Sequence, residues 1–171
     1  NNYQMDRISG FSFDLMIVAG VAAIEINDIK NYILPIVILS LVGTVVTYIY
    51  IRKVAKEYSD SGADVVEALL KSEWHECRLC ALLILVQQYK KDPDETAGFY
   101  ISHTSGINNW DLVDLSAPYI LGDYLRNKED RSILYELAES DNMWRQRIAI
   151  VSTLMLIRHG QFDDTLRLAE M

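Results

Sequence analysis

The sequence predicts an all-α chain in which a transmembrane-type helical hairpin precedes an α-solenoid of about three helical repeats. Three observations carry that expectation. Residues 32–51, YILPIVILSLVGTVVTYIYI, run without a charge. From residue 64 onward, apolar residues recur with a helical period and are punctuated by helix start and stop signals. Trp74, Trp110 and Trp144 each open an apolar stretch, at spacings of 36 and 34 residues. A period in the mid-thirties is typical of stacked helix pairs.

The membrane-type segment comes first in the chain. At about 1.5 Å per helical residue, the uncharged run spans about 30 Å, the thickness of a bilayer core. Tyr32, Tyr48 and Tyr50 lie near its edges, where an aromatic belt would sit. Arg52, Lys53 and Lys56 follow at once and place that end, with the rest of the chain, in the cytoplasm. A buried helix of a soluble protein is the competing reading. Residues 11–26, FSFDLMIVAGVAAIEI, form a second apolar stretch that carries Asp14 and Glu25. It reads as a broken or re-entrant arm, joined to the main run by the polar NDIKN. Membrane contact is therefore expected through residues 11–51. Residues 1–57 form this segment, residues 58–63 (YSDSGA) the junction, and residues 64–171 the helical repeats.

The helices after the junction follow from local signals. A short one is expected over 64–71. One over 73–90 is apolar nearly all round, as a central helix would be. Asp92, Pro93 and Glu95 give the next helix an N-cap, a first-turn proline and a capping-box acid. That helix should end near residue 103. A helix over 109–127 contains Pro118, so a break is expected near Ala117. Helices over 129–139 and 142–159 follow, the second largely buried and closed by Gly160. A last helix starts near Phe162. Asn1 at the start, and an amphipathic helix running to Met171 without a stop signal, suggest that both ends are cut.

Composition bounds the function. The chain has 171 residues, a net charge of −8, and is 50% hydrophobic. Six acids and five bases fall in residues 1–60; eighteen acids and eleven bases fall beyond. The repeat region is therefore the acidic part, and a DNA ligand would have to be met by local basic clusters. Cys77 and Cys80 lie in helical sequence with no second pair, so they read as small buried helix residues rather than zinc ligands. No metal and no cofactor are implied.

The first turns after the tryptophans are unusually polar. They carry His75, Glu76 and Arg78, then Asp111 and Asp114, then Arg145 and Arg147. Stacked repeats would line these positions along one face. Charged groups there need partners or water. They could form inter-repeat salt bridges, or a site where an aromatic, a carboxylate and an arginine converge.

Two resemblances sharpen this reading. INNWDLVDLSAPYILGDYL and NMWRQRIAIVSTLMLIRHGQFDDTLRLAE are similar to the central blocks of the HEAT-like-repeat DNA alkylation repair enzymes, and WHECRLCALLILVQQYK to the block upstream. This resemblance implies a HEAT-like fold and the hydrolytic excision of N3- and N7-methylated purines from double-stranded DNA. It implies that Asp114 is the catalytic aspartate of a W-D-x-V-D motif, that Trp110 is that motif's tryptophan, and that Arg147 acts beside them. Trp144, Arg145 and Arg78, from the same first turns, are the further expected contacts to DNA or lesion. Residues 8–57, through the GFSFDLMIVAG block and the LP that opens the uncharged run, resemble a segment of the sodium/glutamate symporter family. Three classes of function follow: a repair glycosylase, a helical binding module without chemistry, or a fusion of two gene fragments.

Overall fold

The computed structural model describes residues 26–171. The first arm of the expected hairpin, over 11–26, lies almost wholly outside them. All the regular elements among the described residues are helices. The chain divides between Tyr48 and Ile49 into two units.

Helix α1, Ile26–Glu57, crosses that division. The NDIKN stretch, expected as a connection, is helical and continuous with the apolar run. In the first unit every side chain from Tyr32 to Tyr48 is exposed. The most apolar window of this helix has a mean hydropathy of 2.2, and none of it is buried. The Thr44 hydroxyl donates to the Ser40 carbonyl at 2.8 Å, so this polar group is satisfied within the helix itself.

The second unit begins with the basic end of α1, where Ala55 is buried and Ile51 packs against the core. A short turn leads to α2, Ala63–Leu70, then α3, His75–Tyr89, and α4, Pro93–Ser102. A 3₁₀ turn, Thr104–Gly106, and α5, Trp110–Asp114, follow. A π-helical turn, Pro118–Gly122, runs into α6, Asp123–Leu125. The chain ends in α7, Ser132–Ala138, α8, Met143–Arg158, and α9, Asp163–Ala169.

Local chemistry sets these limits. The Asp92 carboxylate accepts the Glu95 N–H at 3.0 Å, and Pro93 occupies the first turn of α4. Asn109 and Asn142 cap α5 and α8 through the Trp110 and Trp144 N–H groups. Gly160, just beyond α8, has φ 76°, a left-handed conformation that glycine adopts without strain. Pro118 has no N–H to give to the preceding turn. The backbone widens there, and the Gly122 N–H donates to the Ala117 carbonyl at 2.9 Å. The helix expected over 109–127 is thus three pieces, and the piece that Trp110 opens is only five residues long.

The core runs through the second unit. Helix α3 packs on α2, α4 and the π-helical turn; α8 packs on that turn, α5, α7 and α9. Leu82, Tyr100, Leu112, Ile120, Leu134, Ile148 and Leu156 are fully buried. The Tyr100 hydroxyl and Ser116 Oγ meet at 2.9 Å within this core. Side-chain bonds also tie residues about one repeat apart: Tyr89 to Asp123 at 3.2 Å, Lys128 to Asp94 at 3.2 Å, and Arg131 to Asp164 at 2.7 Å.

Two expectations of burial fail. Ile150 and Leu154 leave one side of α8 exposed, because α7, α9 and the π-helical turn do not encircle it. Cys77 and Cys80 are half-buried free thiols rather than fully buried residues, with Cys80 packed against the edge of the core. Burial pushes the Cys80 thiol pKa up.

Gly122 marks the closest backbone approach. A Cβ there would lie inside van der Waals contact of the Ser152 carbonyl oxygen and 3.0 Å from Met155 Cβ. Neither the carbonyl nor the π-helical turn can step aside without moving α8. Gly122→Ala is expected to destabilise the second unit by about 3 kcal/mol in urea denaturation.

Candidate functional site

The polar first turns of α3, α5 and α8 meet at one end of these helices. In α5 the order Asp111-Leu112-Val113-Asp114 buries the two middle residues completely. The two aspartates are three residues apart on a helix, so both lie on the remaining open face. Each meets a neighbouring helix. Asp111 Oδ2 lies 2.6 Å from His75 Nε2 of α3. Asp114 faces Arg147 of α8, whose Nε reaches Oδ1 at 3.0 Å and whose Nη2 reaches Oδ2 at 2.8 Å.

The second contact is a fork-to-fork pair, the geometry in which a guanidinium holds a carboxylate in one orientation. The Asn142 cap fixes the start of α8, and fully buried Ile148 anchors the turn from which Arg147 projects. The pair remains open to solvent, with side-chain exposures of 35% for Asp114 and 41% for Arg147. The hydrogen bond to Asp114 raises the guanidinium pKa of Arg147 further. Each carboxylate oxygen keeps lone-pair capacity beyond the single bond it accepts from Arg147.

The structure distributes the other expected residues unevenly. Trp110 is 59% exposed beside Asp111 and can meet a large ligand. Trp144 is half-buried against the core. Arg78 is turned to its own backbone: its Nη1 donates to the Ser72 and Glu73 carbonyls at 2.7 and 3.0 Å, closing the loop before α3. The Nε atoms of Arg78 and Arg145 are buried without a hydrogen-bond partner. Among the described residues no group of three His, Cys, Asp or Glu side chains could hold a metal ion.

Sequence reasoning named His75 and Asp111 without pairing them. Their spacing equals that of Trp74 and Trp110, and that equality was the available signal. Cavities of the second unit lie elsewhere. One, of about 300 Å³, is lined by residues such as Ser61, Gln88 and Phe99. Another, of about 750 Å³, lies beside Tyr89, Tyr124 and Lys128. Both draw on the C-terminal half of α3, away from the paired first turns. Asp114 and Arg147 line neither of these cavities.

A family model described as DNA alkylation repair enzyme matches residues 44–171. Neither the curated proteins nor the solved structures gave a match. No match supports the sodium/glutamate symporter resemblance of residues 8–57.

Proposed function

The chain belongs to the DNA alkylation repair enzyme family, and from that premise we propose that it excises N3- and N7-methylated purines from duplex DNA by hydrolysing the N-glycosidic bond. The observation that carries this reading is the bidentate Asp114–Arg147 pair on an open face that also presents Trp110.

The chemistry suits these groups. A purine alkylated at N3 or N7 carries positive charge and is already a good leaving group. As the bond from C1′ breaks, its electrons pass to the base and neutralise it, and positive charge builds on the sugar. A fixed carboxylate at Asp114 stabilises that charge. It also accepts a proton from the water that attacks C1′. Arg147 positions Asp114, and its remaining N–H groups can meet a phosphate. The indole of Trp110 offers a π face to the cationic nucleotide.

The repeat-length ties between helices, including His75–Asp111 and Asp114–Arg147, support reading the second unit as a HEAT-like solenoid. Measuring release of methylated purine from methylated duplex DNA by the full chain, against Asp114→Asn, tests the assignment. Equal release by both would sink it. Binding without release would leave a recognition module.

A second reading concerns α1. An uncharged helical run that is exposed on every side favours contact with a bilayer through the described part of residues 11–51. The full chain is expected to float with liposomes and to resist carbonate extraction. Leu39→Asp with Val42→Asp, at the middle of the run, is expected to abolish both.

A further inference from the structure

We infer that Trp74 is a second aromatic contact for alkylated duplex DNA, one helix pair upstream of Trp110; this rests on the DNA-binding reading of the Asp114–Arg147 face. Trp74 contributes little to the local fold through its side chain. It is the N-cap of α3, yet its side chain makes no capping hydrogen bond. The corresponding caps of α5 and α8 are Asn109 and Asn142, whose side chains accept backbone N–H groups. Asparagine ranks among the best N-caps and a large hydrophobe among the poorest. The local bond at this position comes from Ser72, whose Oγ accepts the Trp74 N–H at 3.2 Å, and not from the Trp74 side chain.

Trp74 gains little burial in exchange. It is 65% exposed, more than Trp110 at 59%. Exposure alone does not set it apart, since Met143 and Leu166 are as open; the indole is the side chain among them that can stack on a nucleotide. The placement is specific as well. The His75–Asp111 bond ties the first turn of α3 to that of α5. Trp74 directly precedes His75, and Trp110 directly precedes Asp111. The two exposed indoles therefore flank one inter-helix tie, at the end of the helices that carries Asp114 and Arg147.

A duplex is long enough to meet both. An aromatic face packs on an unstacked base, as beside a lesion, without regard to base identity. With Trp110 near the cationic lesion, Trp74 would meet a nucleotide flanking it. The contact would supply affinity and placement rather than chemistry. It would also add affinity that does not depend on charge, in a chain whose net charge is −8.

The test exploits the opposing demands of cap and ligand. The full chain carrying Asp114→Asn is titrated in mild detergent with a duplex containing N7-methylguanine. Trp74→Asn and Trp74→Phe are then added on that background. Trp74→Asn is expected to weaken binding about tenfold while leaving the melting temperature equal or higher, because Asn is the better cap. Trp74→Phe is expected to recover part of the affinity. Unchanged affinity in Trp74→Asn would overturn the role of Trp74 alone. Weaker binding together with a lower melting temperature in both variants would mark Trp74 as structural and overturn it too. An Asp114→Asn parent that binds neither methylated nor unmodified duplex would overturn this inference together with the reading beneath it.

Discussion

Asp114→Asn is expected to lower the release of methylated purine by about 1,000-fold while leaving the helical spectrum and melting temperature nearly unchanged. The substitution keeps the shape of the side chain and removes its charge. A charge aimed at the developing sugar cation and a base for the attacking water are each large contributions, of about 100-fold or more. Asparagine supplies neither. It also disturbs the fork. Arg147 now donates two parallel bonds, at 3.0 and 2.8 Å. With Asn, one of the two positions becomes an amide N–H₂, which would face a guanidinium N–H. The small effect on folding follows from exposure. With both side chains more than a third open to solvent, the pair contributes only about 0–1 kcal/mol to stability. The expected separation of activity from stability is therefore large. Arg147→Lys is a useful companion: it keeps a positive charge but loses the planar fork, and a fall of about tenfold is expected. Release unchanged by Asp114→Asn would remove the chemical role from this face.

The contrast between sequence and structure at this face has a physical basis. Signals confined to a few neighbouring residues were legible. Asp92 and Pro93 start α4 and Gly160 closes α8 as their chemistry requires. Pro118 interrupts the helix where a missing N–H must, although the sequence does not say that the turn will widen rather than kink. The tryptophan spacing pointed to three equivalent positions, and two inter-helix pairs join the turns beside them. What periodicity could not supply is which side of a helix is covered. That depends on how neighbouring helices pack, a property of distant residues. Hence Ile150 and Leu154 are exposed on an apolar helix, and Cys77 and Cys80 are only half-buried. Hence also Arg78, a first-turn base like Arg145 and Arg147, spends its guanidinium on the loop that precedes it. The three tryptophans look alike in the sequence, yet Trp144 packs against the core while Trp74 and Trp110 do not.

The largest loss of stability is expected from Arg131→Ala, at the joint between α7 and α9. Arg131 fills almost every donor position of its guanidinium. Nε donates to the Leu125 and Lys128 carbonyls at 3.0 and 3.1 Å, and Nη2 to the Arg126 carbonyl at 3.1 Å and to Gln161 Oε1 at 2.6 Å. Nη1 holds Asp164 at 2.7 Å, and the Tyr135 hydroxyl donates to the other oxygen of that carboxylate at 2.6 Å. The ion pair is largely shielded, with side-chain exposures of 17% and 15%. Truncation leaves Asp164 without its counter-charge and strips side-chain donors from the turn after α6. Breaking such a pair by removing one partner costs about 3–5 kcal/mol. A chain of this size should then melt about 10 °C lower. Lysine at 131 cannot bridge three carbonyls and a carboxylate at once, so Arg131→Lys should recover less than half of the loss. The same joint sets an acid limit. Burial works against ionisation of Asp164, but hydrogen bonds from Tyr135 and Arg131 outweigh it and hold the carboxyl below its ordinary value of 3.8. A depressed carboxyl stabilises the fold above that ordinary value, and the contribution is lost as pH falls through the lower folded one. Asp164→Asn should therefore be less stable at neutral pH, with a flatter decline below pH of about 4. A decline as steep as that of the unaltered chain would place the acid-sensitive group elsewhere.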